Sequence, residues 1–305
     1  MVRENSLSLD DLIYPLFVVE GEGIKREILS MKGVYHFSID KLMLEVEELL
    51  DLGINAIILF GIPGSKDACG SSGFEKNGII QKATRAIKEN YPDMYVVTDV
   101  CMCEYTDHGH CGILNEDGDV NNDKTLEYLG KIALSHVEAG SDMVAPSDMM
   151  DGRVAYIRSI LDQHGFENTP IMSYSAKYAS SYYGPFRDAA DSAPSHGDRK
   201  TYQMDYYNSD EAMREIAFDL EEGADLIIVK PALAYMDIIR RARDEFNIPI
   251  VSYNVSGEYS MLKMAVEEGL MNEDVIMETM ISLKRAGSDI IITYFAKDIA
   301  RSLKK

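Results

Sequence analysis

Short apolar runs recur along the chain every few tens of residues, and the stretches between them place apolar residues three and four apart. The runs are Leu12–Val18, Ala56–Phe60, Tyr95–Asp99, Asp142–Pro146, Ile171–Tyr174, Asp225–Lys230, Pro249–Tyr253 and Asp289–Tyr294. Most show no polar alternation, which is how strands read when both faces of a parallel sheet are covered. Helical spacing follows in Asp40–Leu52, Lys124–Ala139, Asp210–Glu222, Met236–Phe246 and Asn272–Ala286. Gly53, Gly140, Gly223 and Gly287 each stand at the end of such a segment, suited to the left-handed turn that closes a helix. The joins EAGSDMV, EEGADLI and RAGSDII share one plan of helix end, turn and strand without forming a sequence repeat.

Eight strand–helix units in 305 residues predict an α/β chain of the TIM-barrel type, (β/α)8, as a single domain over 1–305. A doubly wound open sheet gives the same pattern, because periodicity does not reveal closure. Two segments are too long and polar for simple connections. One is Glu104–Asn122, within a loop spanning 99–122, and the other is Ser180–Asn208. Long loops on a compact barrel serve as binding loops or lids.

Composition narrows the function. No apolar stretch reaches the length of about 18 residues needed to span a bilayer, so no membrane partner is expected. The start, MVRENSLSLDDLIYPLF, lacks the layout of an export signal, and the expected location is the cytoplasm. The net charge, 30 − 51 = −21, repels nucleic acid and anionic lipid. An anionic substrate would need cations gathered locally.

Reactive residues fall repeatedly at the carboxyl ends of the expected strands, where barrel enzymes keep their chemistry. They are Asp99 and Cys101, Ser147 and Asp148, Lys177, Lys230, Ser256 and Tyr294. Lys230 closes the run Leu226–Val229, and Lys177 lies just beyond another core strand. A buried ammonium loses its proton more easily, and a second cation nearby lowers its pKa further. Two adjacent lysines would then activate each other as amines that attack ketones.

Cys101, Cys103 and Cys111 crowd one short segment, which in a chain without an export signal reads as metal ligation. Three thiolates hold zinc and leave a fourth position for water or substrate. His110 as a fourth ligand would make the site structural instead. Cys69 stands alone. Arg187 and Arg199, in the segment 180–208, supply forked donors for a carboxylate, and Ser256 and Tyr294 supply hydroxyls for another.

These residues sit in motifs that resemble the porphobilinogen synthase (5-aminolevulinate dehydratase) family along nearly the whole chain. The motifs are DLIYPLFV (Asp11–Val18), DVCMCEYTDHGHCG (Asp99–Gly112), APSDMMDGR (Ala145–Arg153), SYSAKYASSYYGPFRDA (Ser173–Ala189), EEGADLIIVKPALAY (Glu221–Tyr235) and YNVSGEYSM (Tyr253–Met261). The resemblance implies a TIM barrel that joins two molecules of 5-aminolevulinate through lysine Schiff bases. It implies Lys230 on the substrate whose carboxylate Ser256 and Tyr294 hold. Lys177 would take the second substrate, with Arg187 and Arg199 on its carboxylate, Gln203 beside it, and 180–208 closing as a lid. By the same resemblance 99–122 is a zinc-binding loop with Cys101, Cys103 and Cys111 as ligands. Asp99 and Ser147 are the polar residues around the metal and the reacting amine. Glu215 would hold an activating magnesium through water.

The chain departs from the family at its start, where a basic arm usually precedes the first strand. The resemblance implies a homo-octamer, and a shortened arm puts that assembly and magnesium activation in question. Glu104 replaces a proline common in the family, a change expected to be harmless, and Thr201 stands where some members have a cysteine for a second zinc. Two other readings compete: a different lysine-dependent barrel such as an aldolase, and an inactive zinc-stabilised scaffold.

Overall fold

The computed structural model describes residues 2–304, and every expected run is a strand in it. They are β1 (Leu12–Val19), β2 (Ala56–Ile62), β3 (Tyr95–Val100), β4 (Met143–Pro146), β5 (Met172–Lys177), β6 (Leu226–Lys230), β7 (Ile250–Asn254) and β8 (Ile290–Thr293). Neighbours pair in the order β4-β3-β2-β1-β8-β7-β6-β5, each pair parallel. The ends of that path meet at one bridge, Val144 to Ile171, where the Val144 N–H donates to the Pro170 carbonyl at 3.2 Å. The sheet closes, so the open doubly wound alternative falls, and the fold is a (β/α)8 barrel.

A helix follows each strand: Ile39–Leu52, Ile79–Asn90, Asn122–Glu138, Arg153–Gln163, Asp210–Glu221, Met236–Glu245, Asp274–Ala286 and Ala296–Leu303. With helices outside and side chains packed inside, the strands have little exposed face. All eight residues of β1 are buried, which is why its sequence is apolar without alternation. The four helix-ending glycines all have positive φ, from 81° at Gly53 to 132° at Gly287. No helix among the described residues is long and apolar enough to cross a membrane.

The structure adds elements that periodicity does not announce. A hairpin of Lys25–Glu27 and Tyr35–Phe37 attaches to β1 through Phe17 and His36. Three-residue strands are too short to carry a pattern. β5 runs three residues past its expected end at Tyr174 and includes Lys177, with a register shift between Ser173 and Ala176. The serines at 173 and 175 disguise it as a loop. Within 180–208, a short 3-10 turn (Ser181–Tyr183) leads into the helix Gly184–Ala190, and helices Ser256–Glu267 and Gly184–Ala190 lie over the carboxyl ends of the strands.

A buried ion network secures β5. Arg153 donates to Asp219 at 3.1 Å, to the Ser173 hydroxyl at 3.0 Å and to the Tyr174 carbonyl at 3.2 Å. Ser173 also donates to Asp219 at 2.8 Å. Asp148 completes the group, 3.8 Å from the Arg153 Nε. Removing one member of such a network leaves uncompensated buried charge. Arg153→Met is expected to lower unfolding stability by about 3–5 kcal/mol, as read from the urea midpoint. A loss under about 1 kcal/mol would mean the two carboxylates find other partners.

Candidate active site

The two lysines end adjacent strands and are paired directly, Lys177 of β5 opposite Lys230 of β6. Neighbouring strands lie about 4.8 Å apart, so paired strand ends aim into one space. Both amines line a cavity of about 10 Å³, together with Cys103, Glu104, Ser147, Arg187 and Arg199. That volume is about one water molecule's worth.

Aromatic rings surround Lys230. Its Nζ lies 4.4 Å from the centre of the Tyr253 ring, 5.0 Å from Tyr174 and Phe186, and 5.4 Å from Tyr183. Burial, and then the charge of Lys177, bring its pKa down to about 7. Lys177 donates to the Ser147 carbonyl. Burial works against its charge, but the sulfurs of Cys111, Cys101 and Cys103 outweigh that and raise its pKa. The influence is therefore one-sided: the charge of Lys177 helps lower the pKa of Lys230, while the cysteine sulfurs raise that of Lys177.

Asp99 and Ser147 meet as expected, the Ser147 hydroxyl donating to Asp99 Oδ2 at 2.9 Å. Asp99 Oδ1 is buried without a partner. Burial first, and Glu104 second, raise the Asp99 pKa to about 7, against the pull of Lys230 and Lys177.

The three cysteine sulfurs lie within 4.8 Å of one another, and all three residues are buried and unoxidised. Burial pushes the Cys101 thiol up, while hydrogen bonds from the Cys101 and Cys103 thiols pull Cys111 well down. Three converging sulfurs without a disulfide fit one thiophilic cation such as zinc. His110 is committed elsewhere, with Nε2 at 3.0 Å from the His196 carbonyl and Nδ1 at 3.1 Å from the Tyr202 hydroxyl. His110 thus does not join the three sulfurs. Cys69 lies apart, its thiol donating to Asp67 at 3.3 Å.

The remaining expected residues divide. Arg187 and Arg199 reach the cavity, and the Nε of each is buried without a partner. Arg199 also donates to the Gly109 carbonyl at 2.9 Å and to that of Ser192. Ser256 and Tyr294 do not line the cavity. Ser256 Oγ accepts from the Phe186 N–H at 2.9 Å and donates to the Tyr182 carbonyl at 3.4 Å, so the 180–208 segment occupies it. Tyr294 pairs with the Tyr253 hydroxyl at 3.1 Å. Gln203 faces a separate depression, shared with Glu215, and both ends of its side-chain amide are buried without partners. Glu215 is half-buried on the helix Asp210–Glu221, and burial and then Asp151 raise its pKa. Among the described residues, the only cluster of three possible metal ligands is the cysteine trio.

Three features escape the sequence reading. The rings around Lys230 come from β5, β7 and the 180–208 segment, so no local pattern unites them. Glu104, set aside as harmless, is buried and lines the cavity. Glu258 is fully buried and accepts from the backbone N–H groups of Leu233 (2.8 Å) and Val255 (3.0 Å) and from Asn254 (3.1 Å). It ties the turn after Lys230 to the turn that presents Ser256.

Comparison with known proteins agrees with this geometry along the whole chain. A family model described as delta-aminolevulinic acid dehydratase matches residues 1–302. The delta-aminolevulinic acid dehydratase of Halalkalibacterium halodurans is 56% identical over 306 residues, covering 100% of this chain and 93% of that protein. The enzyme of the same name from Staphylococcus aureus (strain Mu50) is 58% identical over 307 residues, covering 100% and 95%. A crystal structure of delta-aminolevulinic acid dehydratase (porphobilinogen synthase) from Toxoplasma gondii ME49, in complex with the reaction product porphobilinogen, superposes with a TM-score of 0.97. It is 45% identical, with 99% of this chain and 87% of that chain covered. Matches of this extent place the chain in the delta-aminolevulinic acid dehydratase family, as a lyase that forms porphobilinogen.

Proposed function

We propose that this barrel joins two molecules of 5-aminolevulinate into porphobilinogen with loss of two waters, holding one on Lys230 and the other on Lys177 as Schiff bases. The observation that carries this is the direct pairing of two buried lysines at one cavity. An aldolase needs one such amine and gives no reason for the second. An inactive scaffold gives no reason for holding Lys230 near neutrality.

Lys230, with a pKa of about 7, is the amine ready to attack the first ketone. Converting each ketone to a Schiff base makes its carbon more electrophilic and the neighbouring C–H more acidic. One substrate then joins the other as a carbon nucleophile, and an amine closes onto the partner's ketone carbon. Asp99, poised near pH 7 beside Ser147, is suited to moving the protons these steps release. Arg187 and Arg199 would clamp the carboxylate on the Lys177 side, and Ser256 and Tyr294 the carboxylate on the Lys230 side. Cys101, Cys103 and Cys111 would hold zinc, which would supply Lewis acidity, and with their sulfur charge taken up by the metal Lys177 would lose what raises its pKa.

A cavity of about 10 Å³ does not admit two keto acids, so Tyr183 and Phe186 must lift with the 180–208 segment, which acts as a lid. Magnesium held through water at Glu215 would relieve the repulsion from Asp151, away from the chemistry. A homo-oligomer in the cytoplasm completes the reading.

Borohydride reduction with 5-aminolevulinate, followed by mass mapping, should place adducts on Lys230 and Lys177. Absence of an adduct on either would remove the proposal. Trapping at Lys230 should accelerate as pH rises through about 7, because the neutral amine is the nucleophile. A rise only near the ordinary lysine pKa would contradict the role given to burial. Cys101→Ala is expected to lose bound zinc and more than about 100-fold in kcat with its circular dichroism retained. Turnover by the metal-free variant would show that zinc is dispensable.

A further inference from the structure

The strand ends that carry Lys230, Ser256 and Tyr294 are not held together by the sheet alone. The ladder between β6 and β7 pairs residues 227–229 with 250–252 and goes no further. Among the described residues no backbone hydrogen bond joins the turn after Lys230 to the turn before Ser256. A side chain does. Glu258 Oε1 accepts from the Leu233 N–H at 2.8 Å, and Oε2 accepts from the Val255 N–H at 3.0 Å and the Asn254 amide at 3.1 Å. Asn254 extends the tie to β8, its Oδ1 accepting from the Thr293 hydroxyl at 3.0 Å, next to Tyr294.

This is a costly fastening. Glu258 is fully buried, and among the described residues no lysine, arginine or histidine lies within ion-pair distance of it. Its charge rests on neutral N–H donors, and burial lifts its pKa to about 7 against them. A buried charge without a counter-ion lowers stability. The three groups bonded to the carboxylate are all donors, so both oxygens must accept, and a glutamine would turn its own NH2 group toward an N–H. What the charge secures is the spacing between an amine and a pair of hydroxyls. We infer that Glu258 is a positioning residue for the Lys230 side of the site. It fixes the turn after Lys230 relative to Ser256 and Tyr294, so that one keto acid meets the amine with its ketone and the hydroxyls with its carboxylate at once. This rests on the proposed Schiff base at Lys230 and the proposed carboxylate seat at Ser256 and Tyr294. A plain ketone touches only the amine and gains nothing from the tie. The competing role is a cap on the helix Ser256–Glu267, whose first turn Glu258 occupies.

The test uses two ketones of one carbon skeleton that differ only in the acid: levulinic acid (4-oxopentanoic acid) and 2-pentanone. Borohydride trapping on Lys230 is titrated with each in the zinc-loaded protein, in Glu258→Gln and in Glu258→Asp. The aspartate still caps the helix but is a methylene too short to hold Leu233 as well. In both variants the half-saturating concentration of levulinic acid should rise about tenfold or more, the usual scale for a hydrogen bond to a charged group. That of 2-pentanone should stay within about twofold. A smaller folded fraction lowers the plateau of trapped Lys230 and leaves half-saturation alone, so the readout separates positioning from loss of fold. Glu258→Asp carries the test if Glu258→Gln does not fold. Equal shifts for both ketones, or none for either, overturn the proposal. So does a Glu258→Asp protein that behaves as the unmodified one, since the carboxylate would then be only a helix cap. In the unmodified protein, failure to trap on Lys230, or equal half-saturation by the two ketones, would instead refute the reading on which the proposal rests.

Discussion

The burial of two amines side by side is the constraint around which the site is arranged. An isolated ammonium pays heavily for leaving water, and two adjacent ones repel each other as well. The pair divides the problem. Lys230 sits among the rings of Tyr174, Tyr183, Phe186 and Tyr253 and tolerates the neutral state. Lys177 keeps its charge by standing near the cysteine sulfurs and donating to the Ser147 carbonyl. A barrel strand end is the place that allows this, because the closed sheet fixes the spacing of the two stems while the loops above remain free to vary.

The same loops are stitched to one another as well as to the barrel. The Ser195 N–H donates to the His108 carbonyl at 2.9 Å, and Arg199 donates to the Gly109 carbonyl. His110 reaches the His196 carbonyl, and a Cβ on Gly109 would meet the Ala193 carbonyl oxygen at 2.4 Å. The cysteine loop and the 180–208 segment thus share a backbone-to-backbone contact that only glycine permits. Whatever draws the three sulfurs together also shapes the surface on which that segment rests.

The barrel was legible because each strand is a run of buried apolar residues that differs from its flanks. The lysines, cysteines and arginines were legible because their chemistry is unusual at strand ends and their motifs are local. What stayed hidden is non-local. The rings that tune Lys230 come from three separated segments, and each looks like ordinary core. Ser173 and Ser175 are polar yet fully buried, Ser173 in the network of Arg153 and Asp219, which pattern does not show. Glu104 reads in the sequence as a harmless replacement of proline, since nothing in a run of residues reveals that a loop will fold over them. Lys177 looked like a twin of Lys230, and only the placement of the sulfurs separates the two.

Ser256 is held by the 180–208 segment through the Phe186 N–H and the Tyr182 carbonyl, and Gly257 lets the Tyr182 backbone come close enough for that hold. The hydroxyl assigned to a substrate's carboxylate is therefore also the catch on the door. A carboxylate bound there, as proposed above, would compete with the protein's own backbone for it and would loosen the cover over the amines. An aldehyde or ketone without an acid group has nothing to offer Ser256. On that proposal the Lys230 amine, whose pKa burial lowers, would be screened from the simple carbonyl compounds that would otherwise consume it.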